Sequence, residues 1–419
     1  MTTNQIFDEL SRLGIRIELE GEGLKASGAS EKLTPRLVDT IKTNKAALIA
    51  HLRTKDRDAV APPSLSPLRK TLEFSLFYFG TTHVEDESEK YKLLIEGAKF
   101  ADRNGFLAVW TPERHFDEFA GLYPNPSVLG AALASVTKNI SIRAGSVVVP
   151  LHHPLRIAEE WSVVDNLSGG RIAIACAPGW HANDFVLAPD LYKERHEVMY
   201  EKLGQVRRLW RGESIELVDG SGGTKRTRIY PNPIQKELPV WITSAGNINS
   251  FISAGEKGFN IITHLLGDSL EGLAVKIAAY RKAYRESGHD ETKARVSLML
   301  HTYIGDTLEA TYAVARGPFI EYLRNSLGLV KNLAVSLGYD ITAQDFRRED
   351  LDGMLEYAFN RYVNKSSLVG TKEFCMEMLG KVSAIGVDEI ASLIDFGIDV
   401  ESTLKSLHYL TEIKDAYNL

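Results

Sequence analysis

The sequence predicts an α/β chain in which a closed (β/α)8 barrel of the TIM type follows a small α+β unit. Three observations lead there. Between Thr54 and Lys70 charged residues give way to Ala61-Pro62-Pro63-Ser64-Leu65-Ser66-Pro67, which neither a helix interior nor a central strand accommodates, so it separates two units. After it, short β-rich runs alternate eight times with longer amphipathic stretches, over roughly the length such barrels reach with insertions. The 419 residues, 44% hydrophobic and 25% charged, can bury a sizeable core. A doubly wound open sheet is the alternative arrangement of the same repeats.

The first unit spans residues 1–53. Ile6, Leu10 and Leu13 recur at helical spacing and stop at Gly14, as at a helix C-terminus. Ile15, Ile17 and Leu19 then alternate with polar residues, Gly21 to Gly23 marks a turn, and Leu24 to Ala26 returns as a second strand. Thr34-Pro35 supplies an N-cap and a first-turn proline, and Leu37, Val38, Ile41, Leu48, Ile49 and Leu52 line one face of the helix that follows. So small a unit buries little apolar surface alone, so a partner or a homodimer is expected to complete it. Lys32, Arg36, Lys42, Lys45 and Arg53 on or near the last helix either steer an acidic peptide or simply solvate that face.

Residues 54–70 form the linker and 71–419 the barrel. Its candidate strands are Leu72–Phe79, Phe106–Trp110, Ile140–Val149, Arg171–Cys176, Pro239–Thr243, Phe259–Thr263, Arg295–Ile304 and Asp388–Phe396. The helices expected to follow them are Glu87–Asn104, Pro126–Lys138, Pro154–Leu167, Tyr192–Arg211, Asn247–Lys257, Leu270–Ser287, Thr307–Leu323 and Val400–Tyr417. Gly212–Glu237 is expected to form a Gly-rich hairpin and Gly328–Ser367 helical turns near the mouth.

In such barrels the chemistry sits on the loops after the strands. His83, His115, His152, His153, His181 and His264, of 11 histidines in all, fall there. No metal site is expected: His152 and His153 point apart in extended chain and no His-Glu-x-x-His helix occurs. Two cysteines, Cys176 and Cys375, make neither a disulfide framework nor a four-thiolate site. No Gly-x-Ser-x-Gly elbow occurs, and Gly220-Ser221-Gly222-Gly223 opens no helix after a strand, so a hydrolase and a dinucleotide fingerprint are unsupported. With Lys+Arg 49 against Asp+Glu 55, a net charge of −6 provides no basic footprint for nucleic acid. No apolar run approaches the ~18 residues of a membrane helix, and the first residues begin no signal peptide. A cytoplasmic protein without membrane association is expected.

Ser244-Ala245-Gly246-Asn247 leaves the fifth strand and enters a helix, where exposed N–H groups and the helix dipole hold a phosphate. Beside an aromatic, histidine-rich mouth this suggests a phosphorylated planar cofactor, which flavin mononucleotide (FMN) satisfies.

From Leu72 to Tyr417 the chain resembles the bacterial luciferase-like flavin monooxygenases. The resemblance is carried by Val109–Phe119, Asn125-Pro126, His153–Arg156, Asp165–Arg171 and Ala175–Phe185. Trp180-His181, Ser244–Asn247 and Leu155–Trp161 look most like the subgroup serving polyketide and nonribosomal peptide assembly lines. Glu9–Ile17, Gly21–Leu24, Leu33–Leu37 and Lys45–Leu52, nearly all of the first unit, resemble the tubulysin-synthetase type of N-terminal docking domain. That second resemblance implies a hairpin edge receiving the C-terminal segment of an upstream synthase by strand addition. An appendage with an intramolecular role is the alternative.

The first resemblance implies reduced FMN at the mouth, reacting with O2 to a flavin C4a peroxide. It places the ring against a non-proline cis peptide near Ser146, Val147 and Val148. Cys176, Ala177, Pro178 and Gly179 would touch the flavin, and Ser244, Ala245, Gly246 and Asn247 would hold its phosphate. Two departures matter. Luciferases carry a phosphate-binding arginine just after the cysteine matched by Cys176; here Ala177 stands there, leaving more of the grip to backbone N–H groups. Their catalytic histidine falls on Arg114, which is no general base near neutral pH. The catalytic assignment is therefore His115 for proton transfer, Arg114 for holding a peroxide or substrate oxyanion, and Glu113 for orienting either; a structural salt-bridged loop is the alternative. Light-emitting aldehyde oxidation is not expected. Phe116, Phe119, Trp180, His181 and the Gly328–Ser367 excursion are candidates for substrate contact and for shielding the mouth from water.

The function expected is a reduced-FMN-dependent monooxygenase inserting one oxygen atom from O2 into a carrier-protein-tethered polyketide or nonribosomal peptide intermediate, by hydroxylation or Baeyer–Villiger oxidation. Its partners would be the upstream synthase, an acyl or peptidyl carrier protein and a separate flavin reductase. A deazaflavin-dependent oxidoreductase and a non-catalytic flavin-binding scaffold are the alternatives.

Overall fold

A computed structural model describes residues 15–20, 23–28, 40–41, 45, 48, 71–80, 87–117, 121–244, 246–266, 268–325 and 348–419. The chain divides into two compact units, Met1–Leu65 and Ser66–Leu419. In the first, β1 (Ile15–Glu20) and β2 (Gly23–Gly28) pair antiparallel with Glu20 opposite Gly23 and Ile17 opposite Ala26. The alternation of Ile15, Ile17 and Leu19 thus does form a hairpin strand. Thr40, Ile41, Lys45 and Leu48 are helical and Leu48 is buried. The helix expected before Gly14 and the linker 54–70 lie outside the described residues.

In the second unit β3 (Glu73–Phe77), β4 (Ala108–Thr111), β5 (Ser141–Val148) and β6 (Ile172–Ala177) are followed by a hairpin, β7 (Ile215–Val218) and β8 (Thr224–Thr227). Then come β9 (Val240–Thr243), β10 (Asn260–His264), β11 (Val296–Ile304), the short β12 (Leu368–Gly370) and β13 (Glu389–Leu393). All strands but the hairpin pair are parallel, and the pairings β10 with β11 and β13 with β3 close a barrel in the order β3-β4-β5-β6-β9-β10-β11-β13. The open-sheet alternative is thereby excluded. β12 extends the top of β11, with Thr302 opposite Leu368.

The helices are α1 (Lys92–Arg103), α2 (Pro126–Val136), α3 (Pro154–Ser168), α4 (Arg195–Trp210), α5 (Ile248–Glu256), α6 (Leu270–Glu286), α7 (Leu308–Asn325), α8 (Arg348–Lys365), α9 (Lys372–Ala384) and α10 (Val400–Asn418). Local chemistry sets their ends. Asn125 caps α2, its side-chain oxygen accepting from the N–H groups of Ser127 and Val128, with Pro126 in the first turn. Gly169, at φ +71°, ends α3.

Strand alternation separates two buried layers. Phe74, Leu76, Ile142, Ile174, Leu298 and Ile390 face the helices, while Phe77, Trp110, Ala175, Trp241, Ile262 and Leu393 face the barrel axis. The layers correct one sequence expectation. Thr307–Leu323 was expected to supply the wall helix after the seventh strand, but Phe319, Tyr322 and Leu323 of α7 pack with the inward layer, together with Phe359 and Val363 of α8. The wall position is taken by α9, whose Cys375, Met378, Leu379 and Val382 join the outward layer. The hydrophobic stripe of α7 matches the aromatic lining of the barrel rather than its exterior.

Low in the barrel sits a polar cluster. The Glu389 carboxylate accepts from Ser75 Oγ at 2.5 Å, Trp110 Nε1 at 3.1 Å, Ser297 Oγ at 2.7 Å and Arg143 Nη1 at 2.9 Å. The Arg143 guanidinium lies over the rings of Trp110 and Trp241, 4.9 and 4.7 Å from their centroids. A buried charge is tolerable only so partnered, and this floor leaves the upper half of the barrel for a ligand.

Candidate active site

The loop leaving β4 turns Glu113 inward, its side chain wholly buried. Oε1 lies 2.8 Å from His115 Nε2 and 2.6 Å from His152 Nε2, and Oε2 accepts from the Val148 N–H at 2.7 Å. One carboxylate thus ties the loop after β4 to the end of β5 and to the turn before α3. Burial opposes its charge, but the hydrogen bonds from His115, His152 and Val148 outweigh that and hold it below the ordinary carboxylate value. His152 moves the other way: burial disfavours its cation, the Glu113 bond overcomes this, Glu160 adds and Lys202 subtracts, so its pKa is raised. Of the two side chains that Glu113 was assigned to orient, it touches His115 and not Arg114.

Among the described residues, Glu113, His115 and His152 also bring ligand-type atoms within 4.8 Å of one another, a set that sequence spacing could not show. The two imidazoles share one carboxylate oxygen at hydrogen-bond distance, and Val148 engages the other. His153 stands apart, with Nδ1 accepting from the Leu155 N–H at the start of α3.

Arg114 is buried, and its guanidinium reaches Asp117 at 2.8 Å and Asp184 at 3.5 Å while lying 4.9 Å from the Trp180 ring centroid. Its Nε and Nη1 have no hydrogen-bond partner, nor has Asp184 Oδ1. Burial raises the Asp184 pKa, against the pull of Arg114, His181 and His115. Phe116 (62% exposed, φ +55°) and Trp180 (66%) are exposed side chains. The His181 ring packs edge-on against Trp180. His83, Phe119 and residues 328–347 of the predicted excursion lie outside the described residues.

At the end of β5 the Gly145–Ser146 peptide is cis, and Ser146 Oγ lies 2.7 Å from Thr243 Oγ1 at the end of β9. Val147 and Cys176, partners across β5 and β6, both belong to the helix-facing layer. Alternation points both side chains toward the helices, so at these two positions it is backbone that faces the mouth. Burial also pushes the Cys176 thiol pKa up. Val148 packs with Leu151 and Phe185. Ala177 and Pro178 are half-buried, and Gly179 takes φ +83°, its carbonyl accepting from Arg195 Nε.

After β9 the Ser244 hydroxyl is buried without a partner, Gly246 takes φ +103°, and Asn247 caps α5 by accepting from the Asn249 N–H. Ala245 lies outside the described residues. Lys276 of α6, ion-paired to Asp268, sets its ammonium 3.3 Å from where a Cβ on Gly246 would stand. Sequence reasoning missed this lysine because the turn that brings it beside Gly246 is tertiary. It also missed His301 of β11, whose Nε2 is buried and unpartnered among the rings of Phe319, Tyr322 and Phe396. Burial lowers the pKa of His301 to about 3 and that of His264 to about 4, so both are neutral. The orphaned Ser244 hydroxyl, and the Lys276 ammonium beside Gly246, are the donor and the charge that an anionic tail would require.

The sequence profile of the luciferase-like monooxygenase family matches residues 72–389, and that of the TubC N-terminal docking domain matches residues 4–54. The oxygenase component of a flavin-dependent trigonelline monooxygenase from Acinetobacter baylyi is 26% identical, the alignment covering 83% of this chain and 96% of the relative. The monooxygenase RslO1 of Streptomyces bottropensis superposes with a TM-score of 0.67 at 20% identity, over 83% of this chain and all of that one. The oxygenating constituent of 3,6-diketocamphane monooxygenase from Pseudomonas putida, solved with FMN, gives 0.66 at 19% identity over 83% of this chain and 99% of that one.

Proposed function

Because this chain belongs to the luciferase-like monooxygenase family and carries an N-terminal TubC docking domain, we propose that it is a reduced-FMN-dependent oxygenase acting on an assembly-line intermediate. The reductant would be FMN reduced by a separate reductase, and one atom of O2 would enter the carrier-bound substrate by hydroxylation or Baeyer–Villiger insertion. The observation that carries the cofactor assignment is the Ser244 hydroxyl, buried and unpartnered directly after β9, two residues before the Gly246 turn at which the Lys276 ammonium lies.

Reduced FMN, when bound, supplies the two electrons that activate O2. Ser244 would donate a hydrogen bond to its phosphate, and Lys276 would contribute the charge that Ala177 does not. At the ring, backbone from Ser146 through Val148 and from Ala177 through Gly179 defines the edge of the pocket. Neutral His301 offers a hydrogen bond without placing a charge there. His115, held by Glu113, gives or takes the proton at the reacting oxygen, and Arg114 neutralises a developing oxyanion. The hairpin β1–β2 presents a strand edge on which the tail of an upstream synthase can add.

A carrier protein loaded with the candidate acyl or aminoacyl group, incubated with this protein, FMN, a reductase and O2, should gain the mass of one oxygen atom. No gain, with O2 consumed only to peroxide, overturns the substrate assignment. The same fold serves an F420-dependent secondary alcohol dehydrogenase, with a TM-score of 0.61 at 16% identity. Binding is therefore measured in parallel for FMN and a deazaflavin, and tighter deazaflavin binding would replace the cofactor.

A further inference from the structure

We propose that His152, Glu113 and His115 form a proton relay whose outer terminus, His152, takes protons from solvent at a cleft between α2 and α3 and whose inner terminus delivers them at the barrel mouth. The proposal rests on the assignment of His115 as the proton-transfer group. The exposures give the relay its direction: the side chain of His152 is 31% exposed, that of His115 12% and that of Glu113 not at all. The only continuous line of titratable contacts among these three passes through Glu113 Oε1, 2.6 Å from one imidazole and 2.8 Å from the other.

The cleft opens to solvent and is small, about 20 Å3, room for a single water, with Asn125, Ser127, His152 and Glu160 standing among apolar side chains that include Trp161. Its rim is ordered by hydrogen bonds. Ser127 Oγ lies 2.7 Å from both Glu160 Oε2 and Asn125 Oδ1, and Arg156 holds the other Glu160 oxygen at 2.6 Å. Lys202 Nζ donates to the carbonyls of Pro150 and His152, each at 2.8 Å, fixing the turn that presents His152. The Val148 N–H engages Glu113 Oε2, leaving Oε1 as the oxygen that can pass a proton. The charged groups facing His152 are Glu113 from the loop after β4, Glu160 from α3 and Lys202 from α4.

A monooxygenase has use for such a path. Releasing the second atom of O2 as water takes two protons; with the reduced cofactor arriving as its monoanion, one of them comes from solvent while the cofactor supplies both electrons. A mouth closed against water needs another entrance for that proton. The proton enters the His152 ring from the cleft while Nε2–H passes to Glu113 Oε1. Protonated His115, whose Nε2–H donates to Glu113, gives its Nδ1 proton to the reacting oxygen; tautomer exchange moves the remaining ring proton to Nδ1, and the bared Nε2 takes the proton from Glu113 Oε1. Tautomer exchange at His152 then resets the path.

His152→Gln keeps an amide donor toward Glu113 but cannot conduct. In the cofactor-free protein, titrated by imidazole 15N NMR, Glu113→Gln should lower the His152 midpoint by about one pH unit or more; an unmoved midpoint overturns the coupling. With cofactor, His152→Gln should keep its FMN affinity yet slow turnover about tenfold or more, increasingly so as pH rises, and added imidazole should restore the rate. A wild-type rate and pH profile, a loss that imidazole does not repair, or activity lost to chelation and restored by a divalent metal overturns the relay. If the unsubstituted protein itself neither binds reduced FMN nor consumes O2, the cofactor assignment fails instead, and the NMR titration still decides the coupling.

Discussion

Replacing Glu389 by glutamine removes the charge that balances Arg143 while preserving shape. Arg143 is buried, and its side chain is 7% exposed. The amide oxygen can still accept from Ser75 or Trp110, but it no longer compensates the guanidinium held between two indoles. Breaking a buried pair from one side costs about 3–5 kcal/mol, because the remaining charge stays buried. At roughly 2.1 cal/mol/K of unfolding entropy per residue, a barrel of about 350 residues loses ~1.4 °C of Tm per kcal/mol, so the variant should melt about 4–7 °C lower. The tryptophans flanking Arg143 make fluorescence-monitored melting a local assay. Removing both charges, as Arg143→Met with Glu389→Met, should recover most of the loss, since apolar replacements of buried pairs are often near neutral. A single variant melting within 1 °C of the unsubstituted protein, or a double variant showing the sum of the single losses, refutes the reasoning.

Lys276→Met should weaken FMN binding about tenfold and leave riboflavin binding unchanged in fluorescence-quenching titrations; equal losses for both would remove Lys276 from the phosphate site. Gly179→Ala places a Cβ 2.8 Å from the Phe185 ring and 2.9 Å from Val148 at φ +83°, so Tm should fall by the equivalent of ~1–3 kcal/mol. Cys176, buried with its thiol pKa raised, should resist iodoacetamide at neutral pH until the protein unfolds, as mass spectrometry would show. Stability should vary with pH through the Glu113 cluster. Glu113, lowered from 4.5, contributes stability that is complete above 4.5 and lost as pH falls through its depressed value. His152, raised from 6.5, contributes stability that is complete below 6.5 and lost as pH rises through its elevated value. Denaturation of Glu113→Gln should show both dependences flattened.

The strands were legible because each is a short β-rich run whose neighbours in sequence are amphipathic helices. The hairpin at Gly212–Glu237 was legible from its glycines and appears as β7 and β8. What the pattern misassigned was the seventh wall helix: Phe319 and Tyr322 make α7 look amphipathic, and nothing local says whether an apolar stripe faces the barrel's outside or covers its mouth. α9 carries an equally good stripe but was left without a place once α7 had been given the wall. In the site, the motif Glu113-Arg114-His115 was visible, but the partner that joins it, His152, lies 39 residues away from Glu113. Parity decides the rest: Cys176 sits at the mouth end of β6, yet its side chain faces the helices. Ser75, Arg143, Ser297 and Glu389 each look like a polar interruption of an apolar strand until closure of the barrel brings them together.

The barrel is shut by a seam between its first and last strands, β3 and β13, and Asp395 reinforces it by accepting from the Gly80 N–H, 315 residues earlier, and from the Tyr123 hydroxyl. During translation β3 therefore leaves the ribosome with one flank unpaired and waits for nearly the whole of the cylinder to be made. An unpaired flank invites intermolecular strand pairing. The N-terminal hairpin has no such delay, since its two strands emerge together. The nascent polypeptide thus completes its short-range hairpin well before its cylinder, and chaperone demand should be concentrated in the interval between them.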